Sequence, residues 1–265
     1  MFRVGTTSYI IPDEILPNVE YLAPLVDDVE LVLFETDEWG SNLPDAGQLA
    51  RLRELAARHI ITYSVHLPLD LRLAEDGGAG HVSLVKARRV IDATAPLDPF
   101  AYTLHLDARE LGDAPPPGAL ARWQENSARA LETVGGWLPS PALLAVENLE
   151  KWDPAWFAPV LDRVPASRTM DVGHLWLAGL DPIAFIPGWC PRARIVHLHG
   201  VGSRDHESLS HAPQGSLDAV VGLLAGCFDG VVTLEVFNQP DFLSSLAALR
   251  ASLARHGLSW SKNGG

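Results

Sequence analysis

Eight alternations of a short apolar run with an amphipathic helical stretch predict an α/β chain folded as a single (β/α)8 TIM barrel over residues 1–265. Three observations carry this expectation. The runs lack the polar alternation of half-exposed strands, as parallel strands buried on both faces do. Each unit takes about 30 residues, so eight of them suit a closed barrel better than an open doubly wound sheet. No linker, shared-residue repeat or low-complexity segment interrupts the alternation, and the tail 257–265, ending "SWSKNGG", reads as a frayed terminus.

The units follow in order. "FRVGTTS" leads into a helix over 15–26, and "VELVLFE" (29–35) precedes the helix "DAGQLARLRELAARH" (45–59). "IITYSVH" (60–66) is followed by a Gly-rich loop, "EDGGAG", and a helix over 81–95. "AYTLHLD" (101–107) passes through "APPPGA", whose prolines fit a loop and a first helical turn, into a long helix reaching Leu138. "ALLAVENLE" (142–150) precedes a helix at 154–163 and "SRTMDVGH" (167–174) one at 181–187. "ARIVHLHG" (193–200) precedes a helix at 216–227, and "GVVTLEVF" (230–237) a last one over 240–256.

The formal charge of −13 and the lack of a Lys/Arg cluster argue against a nucleic-acid partner, because holding phosphates electrostatically requires a basic footprint. No apolar stretch approaches the ~20 residues of a membrane span, and "MFRVGTTSYI" lacks the pattern of a signal peptide. The expectation is a soluble, cytoplasmic protein without a membrane partner; composition leaves its oligomeric state open. Cys190 and Cys227 lie far apart in helix-like surroundings and are read as buried thiols.

In a (β/α)8 barrel the active site forms where the strands end. Here those ends carry Glu35, His66, His105 with Asp107, Glu147 with Asn148, Asp171 with His174, His197 with His199, and Glu235. The polar connection "GSRDHESLSHAPQG" adds Asp205, His206, Glu207 and His211. Taken singly, a histidine in an apolar run is a satisfied core residue and a strand-end carboxylate a helix cap, the reading given to Asp107 and Asp153. Converging on one ring, buried imidazoles and carboxylates need neutralising, which a metal ion does. Imidazole with carboxylate and no thiolate suits Zn²⁺, with Mn²⁺ or Fe²⁺ as alternatives, and suits Mg²⁺ or Ca²⁺ poorly. The candidates exceed one tetrahedral shell, so two or three ions per chain are expected, an arrangement that activates water and clamps the oxygens of a phosphoryl centre.

With these residues in view, the chain resembles the xylose-isomerase-like barrel superfamily along essentially its whole length. That superfamily includes the apurinic endonuclease family 2 type and many sugar isomerases and epimerases. On the endonuclease pattern, the metal ligands are implied to be His66 in "SVHL", His105 in "TLHLD", Glu147 in "VEN", Asp171 and His174 in "DVGH", His197 in "VHLHG" and Glu235 in "LEV". The loop after the seventh strand departs from that pattern. "HAPQG" reproduces the spacing of its histidine at His211, but Leu209 stands where the pattern has Asp. The resemblance therefore favours His211 as a ligand. His206 is the second candidate; either Asp205 or His206 reaches in, or one ion is weakly bound or absent.

The opening, "GTTSYIIPDEILPNVEYLAPLVDDVELVLFE" followed by "SNLP", resembles the cobamide-remodelling phosphodiesterases of the same superfamily. That resemblance implies hydrolysis of the phosphodiester linkage in the nucleotide loop of a cobamide. Glu147 and Glu235 would bridge or hold the ions at the reacting centre. His199, two residues from His197 on the same strand face, would be a neighbour of the ligands or a proton donor to the leaving oxygen. Tyr9, Lys151, Trp152, Trp176 and His206 are candidate substrate contacts, with Trp39 beside them as an aromatic wall; packing between outer helices is the competing reading for the tryptophans. The main alternative is a single-metal sugar isomerase or epimerase using Glu147 and Glu235 as its acid/base pair. A further alternative is a non-catalytic cobamide- or metal-binding barrel.

Overall fold

Eight parallel strands close into one barrel in chain order. They are strand 1 (Arg3–Thr7), strand 2 (Asp28–Val32), strand 3 (Thr62–His66), strand 4 (Tyr102–His105), strand 5 (Leu144–Glu147), strand 6 (Ser167–Asp171), strand 7 (Ala193–Leu198) and strand 8 (Val231–Leu234). The computed structural model describes residues 1–36, 40–75 and 81–262, so Trp39 and most of the Gly-rich loop lie outside the described residues. Strands 2, 5 and 8 are buried along their whole length, which is why their sequences show no two-residue alternation.

Helices α1 (Ile15–Leu22), α2 (Ala46–His59), α3 (Val82–Thr94), α4 (Pro117–Gly135), α5 (Ala158–Arg163), α6 (Val172–Leu177), α7 (Pro182–Trp189), α8 (Gln214–Cys227) and α9 (Gln239–Arg255) connect the strands. Local chemistry fixes several of their ends. Asp45 and Gln48 form a reciprocal capping box at the start of α2, and Pro117 occupies the first position of α4, where its missing N–H costs nothing.

The structure corrects the sequence reading at four places. Strand 2 stops at Val32, because the Asn42 side chain takes over backbone pairing there: its amide donates to the Val32 carbonyl (3.1 Å) and accepts from Phe34 N–H (2.6 Å). Glu35 thereby leaves the barrel for a short antiparallel hairpin and pairs with Arg89 at 2.8 Å. Strand 6 runs directly into α6, so "DVGH" is a strand end followed by a first helical turn. The tail is anchored through residue 262: Trp260 is buried, its indole N–H donates to Asp27 (2.7 Å), and Arg250 lies over its ring. Finally, Cys190 and Cys227 are joined as a disulfide between the turn before strand 7 and the end of α8. Such a bond restricts the unfolded chain and persists in oxidising surroundings. No helix among the described residues is long and apolar enough to cross a membrane.

At the barrel end opposite the candidate site, Asp28 is fully buried and accepts from Ser64 (2.6 Å) and Thr62 (2.5 Å), while Arg3 donates to Thr62 (2.8 Å). Burial outweighs the two hydroxyl donors and pushes the carboxyl up to about 6. The folded chain thus keeps a proton that the unfolded chain sheds at lower pH, so this group's contribution is complete in acid and is lost as pH rises through about 6, on the order of 3 kcal/mol. Asp28→Asn lacks this loss. Its melting temperature is expected to gain on the wild type between about pH 4 and pH 7; a constant difference across that range would show that Asp28 titrates as an ordinary carboxylate.

Candidate metal centre

The strand ends bring imidazoles and carboxylates together in three groups: His66, His105 and Glu147; Glu147, Asp171, His197 and Glu235; and His174, His199, Asp205 and His206. Within each group the nearest side-chain N and O atoms all lie within 4.8 Å of one another. The groups are joined through carboxylates. Glu147 belongs to two of them, Asp171 lies 3.3 Å from both His174 and His199, and Glu235 lies 3.3 Å from His206.

Each side chain is aimed by local structure. His66 directs Nδ1 at the Leu67 carbonyl (2.7 Å), turning Nε2 toward Glu147 (3.2 Å). His105 reaches the same carboxylate oxygen at 3.0 Å, and His197 Nδ1 the other at 3.2 Å. Asp171 caps α6 by accepting from His174 N–H (2.6 Å), which sets His174 one helical turn above it. Asn148 ties strands 5 and 6 together: its amide donates to the Asp171 carbonyl (2.8 Å) and accepts Asp171 N–H (2.9 Å). Gly173 must be glycine, since a side-chain carbon there would overlap the His199 ring.

The electrostatics show what the site demands. Burial works against charge on His66, Glu147, Asp171, His174, His197, His199 and Glu235, yet these groups charge one another. The Glu147 hydrogen bond and charge override desolvation at His66 and hold it at about 9; Asp171 and Asp205 raise His174 to about 11, and Asp171 raises His199 to about 9. Desolvation likewise opposes ionisation of Glu147 and Glu235, but the His197 charge keeps both well below the usual carboxylate range. Protons on imidazole therefore occupy the role a cation would take. They fill it imperfectly: among the described residues Glu30 Oε1, Asp171 Oδ2, His199 Nε2 and Glu235 Oε2 are buried without a hydrogen bond. Three of these atoms lie at 3.1–3.3 Å from an oppositely charged neighbour but are not aligned for one. Clustered lone pairs with imidazole and carboxylate donors fit a divalent ion of the Zn²⁺, Mn²⁺ or Fe²⁺ type.

Of the residues singled out in the sequence, His66, His105, Glu147, Asp171, His174, His197 and Glu235 all meet here, and His199 points into the same mouth. His211 does not. It stands outside the three groups with a half-exposed side chain bonded to Glu207 at 2.6 Å, and Asp205 and His206 enter in its place. Glu30 was missed. It is wholly buried on strand 2 and accepts from His197 Nε2 at 3.1 Å, leaving Nδ1 for the ligand groups. The one signal for it was a carboxylate inside an otherwise apolar run, Val29–Leu33.

Above the groups opens a cavity of about 960 Å³ whose floor is formed by His66, His105, Glu147, His174 and Glu235. The connections after strands 1, 2, 3 and 8 contribute the apolar Ile10, Phe34, Leu69 and Phe237 to its walls, and those after strands 4, 5 and 7 contribute Arg109, Lys151 and His206 among others. Tyr9 and Trp152 also line it, Tyr9 with its hydroxyl held by Asn42 at 3.0 Å. Trp176 does not line it: two residues beyond His174 on α6, it sits about 200° around the helix and packs on the core. Asp153 and Asp107 accept backbone N–H bonds from Ala155 and Arg109, as caps do.

No protein-family model and no curated protein sequence matches the chain. Solved structures do. A D-tagatose 3-epimerase-like protein is similar with TM-score 0.78 and 17% identity over 97% of this chain and 98% of that one. Endonuclease IV from Thermus thermophilus gives 0.68 and 20% over 96% and 99%, and a 3-keto-D-glucoside 4-epimerase from E. coli 0.69 and 14% over 95% and 100%. Likeness at these identities shows the fold, a (β/α)8 barrel.

Because the imidazoles must lose protons to bind an ion, Zn²⁺ affinity is expected to rise with pH through about 9, with protons released on binding. Calorimetry in buffers of different ionisation enthalpy checks this; a binding heat independent of buffer would contradict it.

Proposed function

We propose that the chain is a metal-dependent phosphodiesterase. The observation that carries this reading is the continuity of the three ligand groups, each linked to the next by a shared or bridging carboxylate. When bound, two or three divalent ions would activate a water and neutralise the oxygens of a phosphoryl centre. The chain's own part is to place them. Glu147 and Glu235 hold the central position by meeting at His197 Nδ1, while His66 and His105 face Glu147 from strands 3 and 4. His199, fully buried below the cavity floor and directed at Asp171 and Asp205, belongs to the ligand sphere rather than to the leaving oxygen. A cobamide is the proposed substrate. Support comes from the resemblance in the opening segment and from the apolar wall of Ile10, Phe34, Leu69 and Phe237, which suits a bulky ring system better than a free sugar.

A second reading, a single-metal sugar epimerase, is favoured by one observation: Glu147, Asp171, His197 and Glu235 form a complete four-residue group by themselves. The epimerases among the similar structures point the same way. Under it His66, His105 and His206 would have no ion to serve.

Metal-replete protein offered a complete cobamide, a small phosphodiester and a ketohexose separates the two. Cleavage of a phosphodiester with two or more ions per chain is expected; epimerised sugar with one ion per chain overturns the proposal, and bound cobamide without turnover of any kind identifies a binding protein. His105→Ala is expected to lower metal content and cleavage together, the metal by up to one ion per chain and cleavage by ~10-fold or more. Retention of both would make His105 a packing residue.

A further inference from the structure

The connection after strand 7 is built around a carboxylate that touches none of the three ligand groups. Its turn is closed by Gly200 N–H to the Glu207 carbonyl (2.9 Å) and Glu207 N–H to the Gly200 carbonyl (3.1 Å). Inside it the Glu207 side chain, 8% exposed, accepts Ser203 Oγ–H (2.8 Å) and Arg204 N–H (3.1 Å) on Oε1 and His211 Nδ1–H (2.6 Å) on Oε2. Gly202 packs flat on that pair; a side-chain carbon would overlap the carboxylate and come within 2.7 Å of His211 Nδ1.

What the turn delivers is Asp205 and His206, adjacent in sequence and converging on one place. His206 adopts the left-handed region, with φ of 54°, which surrounding contacts must hold for a residue bearing a Cβ. Its ring stacks on His199 at 4.4 Å and lies edge-on to His174 at 5.6 Å. Asp205 lies 3.5 Å from both His174 Nε2 and His199 Nδ1. The group so formed has three imidazoles and one carboxylate, whereas the central one has one imidazole and three carboxylates.

We infer that the turn is a ligand-presenting device, in which Glu207, braced by His211, is a positioning residue that sets Asp205 and His206 around a divalent ion shared with His174 and His199. His211 thus acts through Glu207. The nitrogen-rich position loads separately from the carboxylate-rich one, since softer borderline ions such as Zn²⁺ favour imidazole more strongly than hard ions do. The inference rests on the multi-ion reading above.

The test is the number of Zn²⁺ ions retained per chain after passage over a chelating resin, counted by elemental mass spectrometry, with circular dichroism and melting to verify folding. His206→Ala is expected to hold one ion fewer than the wild type, and His211→Ala the full number. Glu207→Ala should weaken that ion ~10- to 100-fold, and Glu207→Gln, which keeps the Oε1 contacts, should recover part of the loss. Substitution by Co²⁺ should show loss of one set of visible bands in folded His206→Ala. A folded His206→Ala that keeps every ion overturns the inference, as does loss of the ion in His211→Ala alone. A wild type holding one ion overturns the multi-ion reading and the inference with it, whereas two or more ions, all held undiminished by folded Glu207→Ala, overturn the inference alone.

Discussion

One buried carboxylate, Glu147, is approached by four imidazoles. His66 and His105 meet its Oε2 and His197 its Oε1 within hydrogen-bond distance, and His174 lies 3.5 Å from Oε1. An isolated charge so deep in the barrel would cost several kcal/mol, so the arrangement survives only because every neighbour is a potential cation or shares one. The geometry of the centre follows from that constraint. Strands 3, 4, 5 and 7 must present side chains at or next to their ends to a common point, and Asn148 must bind strand 5 to strand 6 so that Asp171 and His174 arrive beside it.

A second buried acid lies at the start of strand 2, away from the strand ends. Asp28, at the start of strand 2, is satisfied by two hydroxyls and tends toward its neutral form, while Glu30, two residues on along the same strand, bonds an imidazole. Two carboxylates of one strand thus have opposite surroundings: hydroxyls at the closed end and imidazoles at the functional end. The latter arrangement is incomplete without a cation, as the unbonded oxygens of Glu30, Asp171 and Glu235 show. Site demand and scaffold stability are thereby placed at opposite ends of the same parallel strands.

Much of this was legible in the chain. Continuous apolar runs alternating with amphipathic stretches determine a parallel, doubly covered sheet, and a polar residue ending such a run has one place to point. That is why His66, His105, Glu147, Asp171, His174, His197 and Glu235 could be assembled from spacing and resemblance. Glu30 escaped because a carboxylate within a strand, rather than at its end, carries no positional signal until its partner on strand 7 is known. Trp260 escaped because a terminal aromatic gives no sign of the core it will fill.

Sequence by itself determined the barrel and the ring of polar residues at its strand ends, because both depend on local periodicity. Tertiary structure alone decided which residues of the 200–213 connection enter the site. The repeat of a familiar spacing pointed to His211, yet a turn closed by Gly200 and Glu207 reverses the chain and brings Asp205 and His206 inward while His211 turns to Glu207. It likewise decided the Cys190–Cys227 bridge and the packing of Trp176 away from the cavity. Where a connection has no period, the direction of each side chain is set by what it packs against, and that is a property of the folded molecule.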